Sequence, residues 1–330
     1  MTANLFGILD VKDITINIIE NAEVVPIGDI VGVKLYTDGV LVVGMSEISG
    51  NKPYEEAGIK EGDRIIEMNE KTVTCTADLM QTVKDSNGEK IQVIYVRDGE
   101  KKETSITPIE VSSNNYKIGL WVRDTAAGVG TVTYYEPETN SFAALGHGII
   151  DIDTNELISI ASGEFVTTNI VSIAKGEEGN PGKIQGTIEN QRTIGEISKN
   201  TSFGVFGNLK DKSVFGTDLS KTIPVALRDE VQTGKAYIVC TLENNSKKEY
   251  EIEIQKIYRD NITDNKSMQV KVTDEELLEK TGGIIQGMSG SPIVQNGKFI
   301  GALTHVLVSD PTKGYAVFAD MMIKQSRDVK

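Results

Sequence analysis

The chain has 330 residues, and its 34 Lys and Arg against 48 Asp and Glu give a formal net charge of −14. At about 150 residues per domain, this length predicts two domains. The acidity argues against binding to a nucleic-acid backbone, which needs clustered cations. With two histidines, two cysteines and no CxxC or HExxH spacing, the sequence indicates neither a metal site nor a disulfide framework. We therefore expect no cofactor.

Changes in patterning divide the chain into four parts. The polar run Ser112–Asn115 breaks the periodicity and predicts a linker. Beyond it, short apolar runs are separated by glycine turns, a pattern typical of a β sandwich or barrel. The predicted parts are an N-terminal segment at 1–30, a compact unit at 31–110, the linker at 111–117 and a β domain at 118–330.

Within these parts the predicted elements follow in chain order. Residues 11–25 alternate in polarity, as a half-buried strand does. In the compact unit, Gly32–Tyr36 and Val40–Met45 predict two strands joined by a turn, and a helix follows near Ala77–Lys84. The β domain is almost entirely strand, but residues Asp274–Lys280 predict a helix, and another is expected after position 319.

The compact unit carries a recognisable motif. Residues 57–73 read AGIKEGDRIIEMNEKTV, which is similar to the fingerprint of PDZ domains. Gly58 and Gly62 would allow the turns into and out of a short loop. Glu70 follows Asn69 where such domains usually carry glycine. Because a left-handed φ costs a non-glycine residue about 1–2 kcal/mol, we expect a different turn type at this point.

The resemblance to PDZ domains implies a groove that binds extended chains by strand addition. The groove is expected between the strand after Gly39 and the helix. The N–H groups of Gly39, Val40 and Leu41 would receive a terminal carboxylate or an internal strand. Leu79 and Val83, one helical turn apart, would line the groove, or they are ordinary core residues.

A second motif predicts a nucleophile. Residues 287–292 read GMSGSP, which resembles the GDSGGP box of chymotrypsin-like peptidases, with Ser289 in the nucleophile position. The flanking glycines would let the N–H groups of Gly287 and Ser289 converge as an oxyanion hole. The alternative is a structural glycine turn. The apolar run after Pro292 reads as a strand, which disfavours the nucleophile elbow of α/β-hydrolases.

A serine nucleophile needs a base, and His147 is the better of two candidates. It ends a predicted strand between two glycines, and it precedes the serine, as in chymotrypsin-like enzymes. His305 follows the nucleophile closely. Together with Thr304 it is expected to form a wall of the specificity pocket.

The acid that would orient the base is the least determined member of the site. Asp274 has a competing explanation, because Thr273 and Glu276 have the spacing of a helix capping box. The residues alone leave five candidates open, namely Asp151, Asp153, Asp218, Asp229 and Asp274.

Taken together, these motifs resemble the stage IV sporulation protein B peptidases of endospore-forming bacteria. The resemblance also includes the run IGLWVRDTAAG at residues 118–128, Leu145-Gly-His147, and the block KTGGIIQGMSGSP at 280–292. It implies a small PDZ-like α+β domain followed by a chymotrypsin-like double β-barrel. It further implies Ser289, His147 and Asp274 as the catalytic triad.

The resemblance also implies a biological role. Such peptidases are exported from the forespore to the space between its two membranes. There they cleave themselves and a membrane-bound regulator of an intramembrane protease, so that a late sigma factor is activated. Their precursors carry a membrane anchor that is absent from this sequence, so we expect a trimmed, soluble ectodomain. The alternatives are a non-enzymatic PDZ-based binding protein and a general envelope quality-control protease.

Overall fold

The computed structural model describes six stretches of the chain, which are residues 2–5, 9–13, 22–188, 192–243, 246–260 and 265–327. Most of the strand predicted over 11–25 lies outside the described residues. The helices of the described part are α1 (Pro53–Glu56), α2 (Thr76–Asp85), α3 (Glu275–Thr281), α4 (Ala319–Arg327) and two 3₁₀ turns at Lys212–Val214 and Arg228–Glu230.

Strands make up most of the regular structure, which confirms the mostly β prediction. The first twelve are β1 (Thr2–Leu5), β2 (Leu9–Asp13), β3 (Glu23–Pro26), β4 (Ile30–Met45), β5 (Arg64–Met68), β6 (Lys71–Thr72), β7 (Ile91–Arg97), β8 (Glu100–Ile106), β9 (Ile109–Ser112), β10 (Asn115–Lys117), β11 (Leu120–Glu136) and β12 (Ser141–Ala144). The remainder are β13 (Ile160–Val166), β14 (Asn169–Ala174), β15 (Lys183–Thr187), β16 (Thr193–Thr201), β17 (Gly204–Leu209), β18 (Ile223–Pro224), β19 (Gly234–Glu243), β20 (Ser246–Ile257), β21 (Met268–Val272), β22 (Pro292–Gln295), β23 (Lys298–Val306) and β24 (Lys313–Phe318).

Six antiparallel strands close a first barrel in the order β4, β11, β12, β17, β16, β13 and back to β4. Its interior is filled by apolar side chains, among them Leu35, Val132, Phe142 and Phe165. The rings of Phe142 and Phe165 pack edge to face with centroids 4.5 Å apart. Burial of these alternating apolar positions explains why short strands with glycine turns fold into a closed sheet.

A second barrel closes in the order β19, β20, β21, β24, β23, β22. Ile238, Ile252, Met268 and Phe299 belong to its core. Helix α4 packs against strands of both barrels. The structure thus has the double barrel that the resemblance implied.

A PDZ-like unit extends from the first barrel. Strands β5, β7 and β8 continue the sheet from the second half of β4, and α2 packs on this sheet with Leu79 and Val83 buried. The 16-residue strand β4 and the 17-residue strand β11 run through both the barrel and this unit, paired with each other. The expected boundary at residue 31 falls inside β4, and the expected linker at 111–117 overlaps the hairpin of β9 and β10, which begins at Ile109.

Two local expectations were wrong. The turn expected between two strands at Thr37–Gly39 is instead part of continuous β4, where Gly39 adopts φ +94 and a Cβ would lie 2.5 Å from the Ile65 carbonyl oxygen. Glu70 does adopt a left-handed φ of +61, next to Asn69 at +47. The Asn69 carboxamide accepts the N–H of Gln92 at 2.9 Å, so the neighbouring strand holds this turn despite its conformational cost.

Candidate active site

A cleft of about 700 Å³ lies between the two barrels and brings together Ser289, Gly287 and His147 of the residues predicted for catalysis. Ser289 and Gly287 come from the loop between α3 and β22, and His147 comes from the loop after β12. His305 reaches the same cleft from β23. The first barrel therefore supplies one imidazole, and the second supplies the serine.

The nucleophile loop is held in place by both barrels. The N–H of Thr131 on β11 donates to the Ser289 carbonyl at 3.1 Å, and its hydroxyl donates to the Gly287 carbonyl at 2.7 Å. From the other side, the N–H of Gly290 donates to the Leu303 carbonyl at 2.7 Å. The Ser289 hydroxyl donates to the Thr304 carbonyl at 2.9 Å.

The backbone of the loop leaves two donors available at the cleft. Gly287 has φ +102, and its carbonyl and that of Ser289 are both engaged by Thr131. Within the described part of the chain, the N–H groups of Gly287 and Ser289 form no hydrogen bond. Free, fixed N–H donors beside a nucleophile are what an oxyanion hole requires.

The hydrogen bond of His147 determines which ring nitrogen is free. Its Nδ1 lies 2.8 Å from the Gly148 carbonyl oxygen. Because a carbonyl only accepts, Nδ1 carries the proton and Nε2 keeps its lone pair, which is the tautomer that a general base needs. Burial lowers the pKa of His147 below its ordinary value, and the Gly148 carbonyl offsets part of this effect. His147 is therefore neutral at pH 7.

This environment predicts the pH dependence of the site. Protonation of His147 removes the base, and its lowered pKa moves this loss to acidic pH, so acylation of Ser289 should stay at its plateau down to below pH 6.5. The measurement is a ¹H–¹³C NMR titration alongside the rate of fluorophosphonate labelling. The chain has two histidines, and His147→Gln assigns their signals. A midpoint for His147 above 6.5 would contradict the burial argument. The second imidazole is that of His305, whose ring centroid lies 5.3 Å from that of His147.

Asp274 is not brought to the imidazole in this structure. It is the N-cap of α3, where its Oδ1 accepts the N–H of Leu277 at 3.0 Å and its Oδ2 accepts the N–H of Glu251 at 3.3 Å. Its charge acts on Cys240 in the second barrel, where burial and then Asp274 raise the thiol pKa to about 12. The expected orienting role has no contact with His147 to support it, whereas capping is supported by the hydrogen bond from Leu277. The N-cap is Asp274 itself and not Thr273, the residue that the capping-box spacing predicted.

Paired substitutions separate the two roles of Asp274. Asp274→Asn keeps an acceptor for the Leu277 N–H but removes the charge, so we expect near wild-type stability and cleavage. Asp274→Ala removes the cap and should cost about 1 kcal/mol of unfolding free energy. Urea unfolding and peptide cleavage measure both. If Asp274→Asn lost cleavage at unchanged stability, the carboxylate would have to reach His147 in another conformation.

The other candidate acids are also engaged elsewhere. Asp151 and Asp153 both pair with Arg123. Asp218 accepts the hydroxyl and N–H of Ser220, and Asp229 lies 3.7 Å from Arg259. In the described residues, the group that meets Nδ1 of His147 is a backbone carbonyl.

The two residues expected to wall the specificity pocket contribute differently. His305 lines the cleft beside Ser289. The Thr304 side chain is buried, and its hydroxyl lies within hydrogen-bonding distance of the Tyr315 and Asn265 carbonyls. Thr304 therefore acts on the site through its carbonyl, which holds the Ser289 hydroxyl.

The strand-addition site expected along β4 is closed at Leu41. Val40 pairs with Ile65, and Leu41 pairs with β5 on one side and with Arg123 of β11 on the other. No edge of β4 is free at Leu41 to add a strand, so the expected role of Leu41 is wrong, and the roles of Gly39 and Val40 stay predictions. The chain order of the PDZ-like strands explains the error, because β11 follows the unit and covers β4.

A groove is present between α2 and residues 118–122. Leu79 and Val83 line it from the helix and are core residues as well, and their role in peptide binding stays a prediction. The sequence signal that would have found the opposite wall is the apolar-Gly-apolar run Ile118-Gly119-Leu120 before β11. Gly119 has φ +74, and a Cβ there would lie 2.5 Å from the Ser46 carbonyl oxygen.

Neither a metal-ligand cluster nor a membrane-spanning helix is found among the described residues. No group of three or more His, Cys, Asp or Glu side chains there is arranged to hold a metal ion. Within the same residues, no helix combines the length and apolar character needed to cross a membrane.

Comparison with known proteins adds the family. The model of the SpoIVB peptidase S55 family matches residues 114–323, and a PDZ domain model matches residues 27–107. Over 75 residues the chain is 36% identical to the serine protease HTRA1 of Xenopus laevis, which is 23% of this chain and 15% of that protein. Over 145 residues it is 31% identical to the zinc metalloprotease RasP of Shouchella clausii, which is 43% of this chain and 31% of that protein.

Solved structures give weaker likenesses. The PDZ domain of the SdrC-like protein from Listeria monocytogenes matches with a TM-score of 0.22 at 16% identity, over 26% of this chain and 87% of that one. An inactive serine-to-alanine mutant of Rv3671c from M. tuberculosis matches with a TM-score of 0.32 at 10% identity, over 61% of this chain and 81% of that one. The chain spans less than a third of the length of the curated relatives it matches.

Proposed function

The chain belongs to the SpoIVB peptidase S55 family and is a serine endopeptidase with a PDZ domain, and we propose that Ser289 is its nucleophile and His147 its general base. One observation carries this assignment. Ser289 lies in one cleft with an imidazole whose Nδ1 is hydrogen-bonded and whose Nε2 is left as an acceptor. The family membership sets aside the alternative of a non-enzymatic binding protein.

The proposed reaction is acyl transfer through the serine. The Ser289 hydroxyl turns from the Thr304 carbonyl to Nε2 of His147 and loses its proton as its oxygen attacks the peptide carbonyl. The Gly148 carbonyl keeps Nδ1–H in place and stabilises the imidazolium. The N–H groups of Gly287 and Ser289 bind the oxyanion. His147 then protonates the leaving amine and activates the water that releases the acyl group.

A fluorophosphonate probe followed by peptide mass spectrometry tests the nucleophile. We expect one adduct, on Ser289, and no labelling of Ser289→Ala. The matched control is Ser202→Ala, since Ser202 lines the same cleft and should be dispensable for labelling. Equal labelling of wild type and Ser289→Ala would sink the assignment.

We further propose that the groove between α2 and β11 binds the carboxyl-terminal end of a polypeptide with apolar last residues. Within the described part, β4 is the strand paired with Leu120–Val122, so their other edge can receive an added strand. Lys84 and Lys117 line the groove, and no carboxylate does, in a chain of net charge −14. Exposed Met80 and Trp121 offer apolar contact.

The cellular role proposed here rests on the family. The enzyme would cleave itself and a membrane-bound regulator of an intramembrane protease, in the space between the membranes of the developing spore, and so activate a late sigma factor. Ser289→Ala expressed in place of the native enzyme in an endospore-forming host should block processing of that regulator. General envelope quality control, the competing role, predicts instead that the purified enzyme degrades unfolded casein broadly.

A further inference from the structure

One strand passes from the peptide groove to the catalytic cleft. Leu120–Val122 of β11 line the groove, and Ala126–Val129 of the same strand line the cleft. Thr131, two residues further on, holds the nucleophile loop through two hydrogen bonds. A change in the position of β11 at the groove can therefore reach the active site, because the same strand lines both.

Arg123 lies directly after the groove residues and connects them to the loop that follows the base. Its guanidinium pairs with Asp151, and its Nη2 lies 2.7 Å from Oδ2 of Asp153. The Asp151 side chain is 1% exposed, so its charge depends on this partner. Loss of the Arg123 guanidinium would therefore leave the buried carboxylate of Asp151 without its cationic partner.

Asp151 in turn organises the loop over residues 149–157. Its Oδ1 accepts the N–H groups of Asp153 at 3.0 Å and Thr154 at 3.1 Å. Leu157, at the end of this loop, packs against Gly148 so closely that a Cβ on the glycine would lie 2.3 Å from Leu157 Cδ1. The Gly148 carbonyl is the group that orients His147. The position of the loop therefore sets the position of the base.

The other wall of the groove is fastened at the same point. The carboxylate of Asp124, next to Arg123, accepts the N–H of Thr76 at 2.7 Å, at the start of α2. A polypeptide bound between α2 and β11 contacts both walls of the groove. The two walls are joined at the adjacent residues Arg123 and Asp124.

We propose that Arg123 is a positioning residue that transmits occupancy of the groove to His147, so that a bound chain end speeds acylation of Ser289. The route is Arg123, the Asp151 loop and the Gly148 carbonyl. This inference rests on the proposed roles of Ser289 and His147. A strand added to Leu120–Val122 fixes the start of β11, and with it the guanidinium that holds the loop.

The test uses the full chain and two separate readouts. The probe is a pool of synthetic heptapeptides that end in Val, Leu, Ile or Phe with a free carboxylate, and its control is the same pool ending in carboxamide. Binding is read from the fluorescence of Trp121, the single tryptophan of the chain, which is 63% exposed at the groove. Acylation is read as the rate of fluorophosphonate labelling of Ser289 with and without the pool.

We expect the carboxylate pool to raise the labelling rate of wild type by about 5- to 150-fold, the usual range of coupling between two sites. In the double variant Arg123→Ala, Asp151→Asn, the carboxylate pool should still bind. The ratio of the labelling rates with and without the pool should fall to about one. The asparagine keeps an acceptor for the N–H groups of Asp153 and Thr154, so the loop is not left with a buried charge. Arg123→Lys should restore part of the ratio, and Asp153→Ala, which alters the exposed partner, should leave it unchanged.

Several results would overturn the inference while leaving the catalytic assignment standing. One is a wild-type rate that does not respond to a pool that Trp121 reports as bound. Another is a double variant that responds as wild type does. A fluorescence signal that is unchanged by either pool would remove the groove and the coupling together. Labelling of Ser289→Ala, by contrast, would refute the proposed nucleophile itself.

Discussion

Replacement of His147 by alanine is expected to lower kcat for peptide cleavage by about 10⁴- to 10⁶-fold, and addition of Ser289→Ala should lower it little further. The two residues act as one unit, because the serine is a weak nucleophile without the base and the base has no proton to accept without the serine. The remaining activity would come from substrate binding and the N–H groups of Gly287 and Ser289. Steady-state cleavage of a quenched peptide substrate measures the three variants.

His305 provides the control for this cycle. It is the other histidine of the chain and lies in the same cleft, with its ring centroid 5.3 Å from that of His147. His305→Ala should lower cleavage far less than His147→Ala, and mainly through KM if the ring contacts the substrate. The reverse order of effects would exchange the roles of the two histidines.

Replacement of Gly290 by alanine should disrupt the nucleophile loop. A Cβ at this position would lie 2.2 Å from the Thr131 carbonyl oxygen and 2.5 Å from the Leu145 N, at φ +96. The backbone of both barrels surrounds the site, so the neighbours cannot move aside. We expect a loss of about 3 kcal/mol or more of unfolding free energy, from the clash and the left-handed conformation together. Cleavage should fall with it, because the clash displaces Ser289.

Gly297→Ala is the matched control. Gly297 also has a left-handed φ, of +74, but nothing lies within 4 Å of its added Cβ. Its cost should be limited to the conformational part, about 1–2 kcal/mol, with cleavage preserved. Equal destabilisation of the two variants would show that the contact with Thr131 does not matter.

The sequence predicted the features that depend on neighbouring residues. The helix at Thr76–Asp85, the family and the mostly β fold followed from local patterns. The cap of α3 is one residue later than the spacing of Thr273 and Glu276 predicts, because Asp274 is the N-cap. These features depend on periodicity, turn chemistry and side-chain to backbone bonds within a few positions.

The predictions from sequence failed where a feature depends on which strands pair with each other in the folded sheet. The resemblance to PDZ domains places the groove beside the strand after Gly39, yet β11, far downstream, pairs with β4 at Leu41 and becomes the outer strand. A free edge is a property of the assembled sheet and leaves no mark in the alternation of a single strand. The same reason explains why β4 was divided at Gly39, a close approach to β5 that resembles a turn in the sequence.

The passage of β4 and β11 through both units has a consequence for how the chain folds. The first barrel cannot close until residues 30–36 meet residues 125–131, and the whole PDZ-like unit lies between these two segments in the chain. Contacts of such sequence separation are slow to form, since the entropy of loop closure must be overcome first. Once folded, however, the PDZ-like unit brings the two segments together at its base. The folded PDZ-like unit thereby shortens the loop that must close between β4 and β11. We therefore expect the first barrel to form more slowly when this unit is unfolded.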